Sequence, residues 1–336
     1  MFTLRQYLLA LLDSRGLTRT LGEIDVCRDE QGRPCFSAGN SAAVFRIRLG
    51  GRIRSLRCYL RPMRHLKEIY GQRLLEKELY LHTSPETGVW VDTVLGDWIE
   101  GSTLHETVAQ AAALRDRESL QILVRLFDRL ALALVTDDRA HGDLKPENII
   151  VGDDGTLCPI DFDASYLPAF AGEISPELGT AAYQHPARTA ADFDERIDDY
   201  PAALISTALH ALAEDPTLWD RYGSSDGLLY TPQRIASDPA YRETLALFEK
   251  RGMAVQYRIA QLLTAPTLRL FGLAELLAEA VREKPAVRSG TEAETPELFV
   301  ENGRWGYRTA ERVVVAPLYD NGVDFPEGLA AVQLGG

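Results

Sequence analysis

The stretch AHGDLKPENIIVGDDGTLCPIDFDASY, Ala140 to Tyr166, sets an aspartate, a lysine, an asparagine and a second aspartate at fixed spacings across two apolar runs. Phosphoryl transfer from ATP asks little covalent chemistry of a protein. It needs metal-held phosphates, a carboxylate at the attacking hydroxyl and cations on the developing charge. Asp143, expected in a loop, is placed to accept or orient a hydroxyl proton, and Lys145 just beyond it can reach a transferring phosphate. Asn148 and Asp161 supply hard oxygen donors that suit Mg2+. The runs IIV and LCPI flank a GDDG turn and are expected to be strands that hold the two loops side by side.

The elements that must position these residues are readable in outline. MFTLRQYLLALLDSRG has an apolar run too short for a signal peptide, ended by Asp13 and followed by no small-residue cleavage site. It reads as an amphipathic helix from about Leu4 to Asp13. IDVCRDEQGRPCF reads as strand, turn, strand, and AAVFRIRLGGRIRSLRCYLR as a hairpin around Gly50-Gly51. HLKEIYGQRLLEKELYLH, residues 65–82, reads as a helix, and GVWVDTVLGDWIEG as a strand. From Thr103 the chain turns mainly helical, with RESLQILVRLFDRLALALV a long, largely buried helix.

Bulk properties bound the function. The net charge of -13 argues against a general nucleic-acid binder, which needs a basic face. The four cysteines, Cys27, Cys35, Cys58 and Cys158, form no C-x-x-C pair and are too sparse for a disulfide framework, so a reducing, cytoplasmic setting is expected. No apolar run reaches the ~18 residues of a membrane span, and no membrane partner is expected.

HGDLKPEN followed by IDFD resembles the catalytic and metal-binding loops of the protein-kinase-like superfamily, whose motifs are H-R-D-L-K-x-x-N and D-F-G. The resemblance covers roughly residues 30 to 280. It implies an α+β, bilobal fold, with a β-rich N-lobe carrying one main helix and a helical C-lobe. The implied divisions are an N-terminal extension (1–30), an N-lobe (31–96), a hinge and C-lobe (97–282), a linker (283–296) and a small β-rich repeat segment (297–336). The implied cofactors are ATP and Mg2+, with Mn2+ as an alternative. In DWIEGSTL the backbone of Asp97 and Ile99 would bond adenine, with Gly96 as gatekeeper. Ser37, Gly39 and Ala42 fall on the three glycine positions of the phosphate-covering loop, so Gly39 is the one glycine kept; Val44 and Ile150 would line the nucleotide. Arg57, in SLRC, stands where the ATP-binding lysine belongs. Its acidic helix partner is expected to be Glu76, with Glu78 as second choice.

Downstream, LGTAAYQHPA resembles the end of an activation segment, which would put Thr180 beside Asp143 and Lys145, as in Ser/Thr protein kinases. Ala187 stands in for a glutamate, removing an ion pair. Asp198 would bond the backbone of the catalytic loop, with Asp199 as the rival, and His141 and Phe162 complete the structural set. Gly142 replaces the arginine that commonly receives an activation-loop phosphate, so Ser165, Tyr166 and Ser175 are expected to be ordinary loop residues.

Near Glu283 the texture changes to the Pro-, Ser- and Gly-containing linker EKPAVRSGTEAETPE. Beyond it, GRWGY…VVVAPLYDNG…FPEGLAAV resembles the WG repeat through Trp305-Gly306, Pro317-Leu-Tyr319-Asp320 and Glu327-Gly328-Leu329. Val300 aligns with Val332 and Gly303 with Gly335, and the chain stops where a second Trp-Gly pair falls due, so a truncated array is expected. Three functions fit: Mg-ATP-dependent transfer to Ser/Thr hydroxyls of a protein; a pseudokinase that binds nucleotide or scaffolds partners through the repeats; and a small-molecule phosphotransferase, a pattern that Gly142 and Asp163 also fit.

Overall fold

The computed structural model describes residues 1–282, 297–301, 304–308, 313–319, 321–322 and 332–333. The chain divides into two compact units, Met1–Glu283 and Lys284–Gly336. The described elements mix α and β, compatible with an α+β class. In the first unit, β1 (Asp25–Val26), β2 (Phe36–Ala38), β3 (Ala42–Leu49), β4 (Arg52–Tyr59), β5 (Leu74–His82) and β6 (Gly88–Asp97) form an antiparallel sheet. Its order is β1-β3-β4-β6-β5, with β2 also on β3. Gly50 and Gly51, both at positive φ, turn the β3–β4 hairpin. The strands alternate: Ala43, Phe45 and Ile47 point into a core with Leu56, Leu79 and Leu81.

Helix α1 (Leu4–Leu12) covers that core. Thr3 caps it, and Gln6 returns the hydrogen bond to the Thr3 backbone, satisfying donors that the first turn would otherwise leave bare. Tyr7 is fully buried and donates its hydroxyl to the Tyr59 carbonyl at 2.6 Å, tying the helix to the end of β4.

Residues 65–82 are not the expected long helix. A short α2 (Leu66–Tyr70) ends at Gly71, a 3-10 turn runs over Gly71–Arg73, and the rest is strand β5. Good helix formers such as Glu76 and Lys77 are overridden by pairing with β6: Leu74 opposes Val94, Leu79 opposes Val91 and Leu81 opposes Val89. The period-two burial of Leu79 and Leu81 is the strand signal within that stretch. A register shift lies between Leu75 and Leu79, and Lys77 within it has φ +51.

The remainder of the first unit is mostly helical. β7 (Gly101–Thr103), β8 (Ile149–Gly152) and β9 (Leu157–Pro159) form a small antiparallel sheet. Helices α3 (Leu104–Ala113), α4 (Arg117–Thr136), α5 (Asp199–Glu214), α6 (Leu218–Tyr222), α7 (Pro239–Arg251), α8 (Ala254–Leu262) and α9 (Leu273–Arg282) surround one core. α4 presents Leu120, Leu123, Val124, Phe127, Ala131 and Val135 at helical spacing. α5 is buried on nearly every side and is the pillar of this part. Buried Asp128 of α4 accepts from Ser206 at 2.6 Å and bonds His210 at 2.8 Å, so the two helices are also joined by a satisfied polar link. No described helix is long and apolar enough to cross a membrane.

In the second unit, β10 (Glu297–Glu301), β11 (Arg304–Arg308) and β12 (Val313–Tyr319) form an antiparallel meander in which Trp305 opposes Val300 and Tyr319. β13 (Asn321–Gly322) pairs with β14 (Val332–Gln333). The linker 283–296, Gly303, Asp320, Glu327-Gly328-Leu329 and Gly335 lie outside the described residues.

The strand assignment reverses the roles of two glutamates. Glu76 is exposed and meets Lys67 at 3.9 Å. Glu78 is 1% exposed, and its carboxylate accepts from the backbone N–H groups of Arg19, Thr20 and Leu21 and the Thr20 hydroxyl, pinning the loop after α1. Glu78→Ala should lower the unfolding free energy by about 3 kcal/mol, because three backbone donors lose a charged acceptor that is itself buried. Glu76→Ala should change it by less than about 0.5 kcal/mol. Urea denaturation measures both, and equal effects would contradict the strand.

Candidate active site

Asp143 and Lys145 lie in the loop between α4 and β8, held at its start by the bridge between Ala140 and Tyr166. Asp198 caps this loop from below α5, accepting from His141 N–H at 2.5 Å and Gly142 N–H at 3.0 Å. Asp199 takes a different part: it accepts from Leu270 N–H at 3.1 Å, and burial pushes its carboxyl up to about 6. His141 bonds the Ile160 carbonyl at 2.8 Å and packs on Phe162, its ring centroid 5.0 Å away. The histidine thus ties the loop holding Asp143 to the one holding Asp161.

At the centre, Asp143 uses both oxygens. Oδ1 accepts from Thr180 N–H at 2.6 Å, and Oδ2 accepts from Asn148 Nδ2 at 3.2 Å. Lys145 Nζ stands 3.6 Å from Asp143 Oδ2 and donates to the Thr180 hydroxyl at 2.9 Å. A carboxylate, a cation and a hydroxyl therefore converge from two segments far apart in sequence. Gly179, at φ +72, permits this approach: a Cβ there would lie 2.8 Å from the Gly142 carbonyl and 2.9 Å from Asp143 Oδ1.

Asn148 also donates Nδ2 to the Asp143 carbonyl at 2.9 Å, which leaves its amide oxygen outside that pair. Ile160 N–H donates to the Asn148 carbonyl at 2.8 Å, so Asp161 follows directly beside it. Asp161 has φ +67, a left-handed conformation uncommon outside glycine and characteristic of functional turns. Asn148 and Asp161 carry hard oxygen donors of the kind that would suit a divalent cation such as Mg2+. No group of three or more metal-ligating side chains occurs among the described residues.

Arg57, on β4, does not meet Glu76 or Glu78. Its Nε donates to Asp163 Oδ2 at 3.0 Å, and its Nη2 bonds both Asp163 Oδ2, at 2.5 Å, and Asp161 Oδ1. Asp163 is buried, and its second oxygen accepts from the Tyr70 hydroxyl at 2.6 Å and the Tyr59 hydroxyl at 3.1 Å. Burial works against the Arg57 charge, yet Asp161 and Asp163 outweigh it and hold the guanidinium above its ordinary pKa. Burial likewise raises both phenols, keeping them as neutral donors.

The remaining positions expected to line a nucleotide lie on several elements. Val44 on β3 opposes Arg57 across the ladder, and Ile150 on β8 opposes Cys158. Gly39 sits in the β2–β3 turn, where its N–H bonds the Ala42 carbonyl at 2.9 Å; a Cβ there would fit without crowding. Asp97 ends β6 opposite Arg54, and its carbonyl already accepts from the Ser55 hydroxyl at 3.1 Å. Ile99 is half-buried in the link to β7.

Several site residues escaped the sequence reading. Tyr59 and Tyr70 gather through tertiary approach, with no local spacing to mark them, around Asp163, which the IDFD stretch marks but not as a partner of Arg57. Arg188, buried beneath the loop, donates Nη1 to the Gly142 carbonyl at 3.0 Å. Burial lowers its pKa, with Asp198 and Asp143 opposing. His185 bonds the Ala265 carbonyl at 3.0 Å and tethers the segment that lacks a glutamate at Ala187. Ser165, Tyr166 and Ser175 are all buried; the Ser175 hydroxyl bonds the Glu177 carbonyl at 2.5 Å.

Gly142 itself has φ +81, and a Cβ would lie 2.0 Å from the Ala164 carbonyl oxygen. An arginine at this position is excluded by backbone. Gly142→Ala should therefore cost about 3 kcal/mol of stability, read from chemical denaturation, and Gly142→Arg no less. A neutral result would contradict the close passage of the Phe162–Ala164 turn.

CBL-interacting protein kinase 17 of Oryza sativa subsp. japonica is 28% identical over 172 residues, covering 48% of this chain and 35% of that protein. Serine/threonine-protein kinase PknL of Mycobacterium tuberculosis is 28% identical over 213 residues, covering 60% of this chain and 52% of that protein. PknL of Mycobacterium bovis matches to the same extent. The chain thus spans about a third to a half of the length of these relatives. No protein-family model matches it. The similarity to Ser/Thr protein kinases supports a place in the protein-kinase-like superfamily.

Proposed function

We propose that the chain adopts a bilobal kinase-like fold and transfers the γ-phosphoryl group of Mg-ATP to Ser/Thr hydroxyls of a protein. The observation that carries this reading is the convergence of Asp143, Lys145 and Thr180: the Lys145 ammonium bridges toward the Asp143 carboxylate and bonds the Thr180 hydroxyl at 2.9 Å. In this reading Asp143 orients the substrate hydroxyl and takes its proton, and Lys145 neutralises charge on the phosphoryl oxygens as the bond to the leaving oxygen breaks. Asn148 and Asp161 would hold Mg2+, which shields the phosphates. Arg57 would face the phosphates in place of a lysine, with a planar fork rather than a point charge.

Glycine 142 and Asp163 also fit small-molecule phosphotransferases, but Asp163 is committed to Arg57, Tyr59 and Tyr70 and is 3% exposed. A second reading, a nucleotide-binding or scaffolding pseudokinase, draws on the direct bond between Arg57 and Asp161, which occupies one of the Asp161 carboxylate oxygens. In either case the β10–β12 meander around Trp305-Gly306 is read as a WG-repeat surface for a protein partner.

The test is phosphate incorporation from γ-labelled ATP with Mg2+ into a generic basic protein and into the chain itself. Asp143→Asn should lower the rate by about 10²–10⁴-fold. Equal incorporation in the wild type and the variant, unrestored by Arg57→Lys, would overturn phosphoryl transfer in favour of the second reading.

A further inference from the structure

We propose that Asp163 is the positioning residue for Arg57, taking the part that the resemblance assigned to a helix glutamate, so that Arg57 stays aimed at the phosphates when a metal claims Asp161. This inference rests on the ATP reading above. None of the three glutamates in the expected helix meets Arg57: Glu68, on the short α2, is exposed, Glu76 faces solvent and Glu78 holds the loop at Arg19–Leu21. The acid that meets Arg57 comes instead from the turn after β9, two positions beyond the metal-ligand aspartate.

The two carboxylates hold Arg57 in different ways. Asp163 takes Nε and Nη2 on one oxygen, a side-on grip that fixes the plane of the guanidinium. Its other oxygen is fixed by Tyr59 and Tyr70, which leaves the carboxylate little freedom to turn. Asp161 takes Nη2 alone, and Nη1 joins neither pair. The exposures differ in the same sense: the Asp163 side chain is 3% exposed and that of Asp161 is 38% exposed. The inner pair is walled off, whereas the outer one is open to solvent and to an incoming cation. Losing Asp161 to a metal leaves Arg57 anchored, with the edge it had shared with Asp161 available to an anion.

The test is ATP affinity of the full chain, by calorimetry in EDTA and again with Mg2+, across wild type, Asp163→Asn, Arg57→Met and the double variant. Asp163→Asn should weaken ATP binding about tenfold while Arg57 is present. In the Arg57→Met background the same change should leave affinity unaltered or tighten it, because a like charge is removed without an anchor being lost. If the effect has the same sign and size in both backgrounds, the anchoring role is overturned, whatever the fate of phosphoryl transfer. A wild type that binds no ATP overturns the ATP reading and this inference with it. Should Asp163→Asn fail to fold, Tyr70→Phe removes one donor to Asp163 and neither charge; it should weaken ATP about threefold with Arg57 present and not without it. Equal factors in the two backgrounds again overturn the proposal.

Discussion

The paired aspartates on Arg57 set the terms for the rest of the site. A buried guanidinium is costly to desolvate, by several kcal/mol, unless well-aimed carboxylates surround it. Here two do, and one is itself held by two phenols. Breaking such a pair by removing one partner typically costs about 3–5 kcal/mol. The link joins strand β4 to the Phe162–Ala164 turn, across roughly a hundred residues of chain. It therefore couples the large sheet to the loop that bears the candidate metal ligand. Tyr70 brings α2 into the same cluster, and Tyr59, through its carbonyl, brings α1.

Around that link, the departures from the kinase pattern form a consistent set. With residues 74–82 in strand, Glu76 and Glu78 are not helix acids and Glu68 on the short α2 is exposed, so the cation's partner is drawn from the other side of the site. Position 142 is a glycine because the Ala164 carbonyl passes where a side chain would stand. Arg188 then reaches the Gly142 carbonyl from the segment after Thr180. Position 187 is an alanine, and His185 ties that segment to the Ala265 carbonyl instead. The Arg188 bond reaches the loop that holds Asp143, and the His185 bond holds the segment after Thr180.

The parts legible in the sequence were those whose cause is local. The Gly50-Gly51 hairpin, the α1 helix with its apolar face, the period of α4 and the two polar loops all follow from short-range spacing. Asp198 rather than Asp199 bonds the loop, a choice between neighbours that depends on where α5 begins. What escaped has a tertiary cause. Residues 74–82 become strand because β6 offers a hydrophobic partner at Val89, Val91 and Val94. Glu76 has the spacing of a helix acid only if that helix exists. Asp163 stands in the IDFD stretch, but it acquires its role from Tyr59, Tyr70 and Arg57, none of which is near it in sequence, so the motif could not show its pairing with Arg57.

The most direct measurement is a crystal structure of the chain with Mg2+ and a non-hydrolysable ATP analogue. The account predicts Asp161 on the metal, Arg57 between Asp163 and the phosphates, and Glu76 still on the exposed strand. A structure in which residues 65–82 form a helix that carries Glu76 onto Arg57, with Asp163 released, would contradict it.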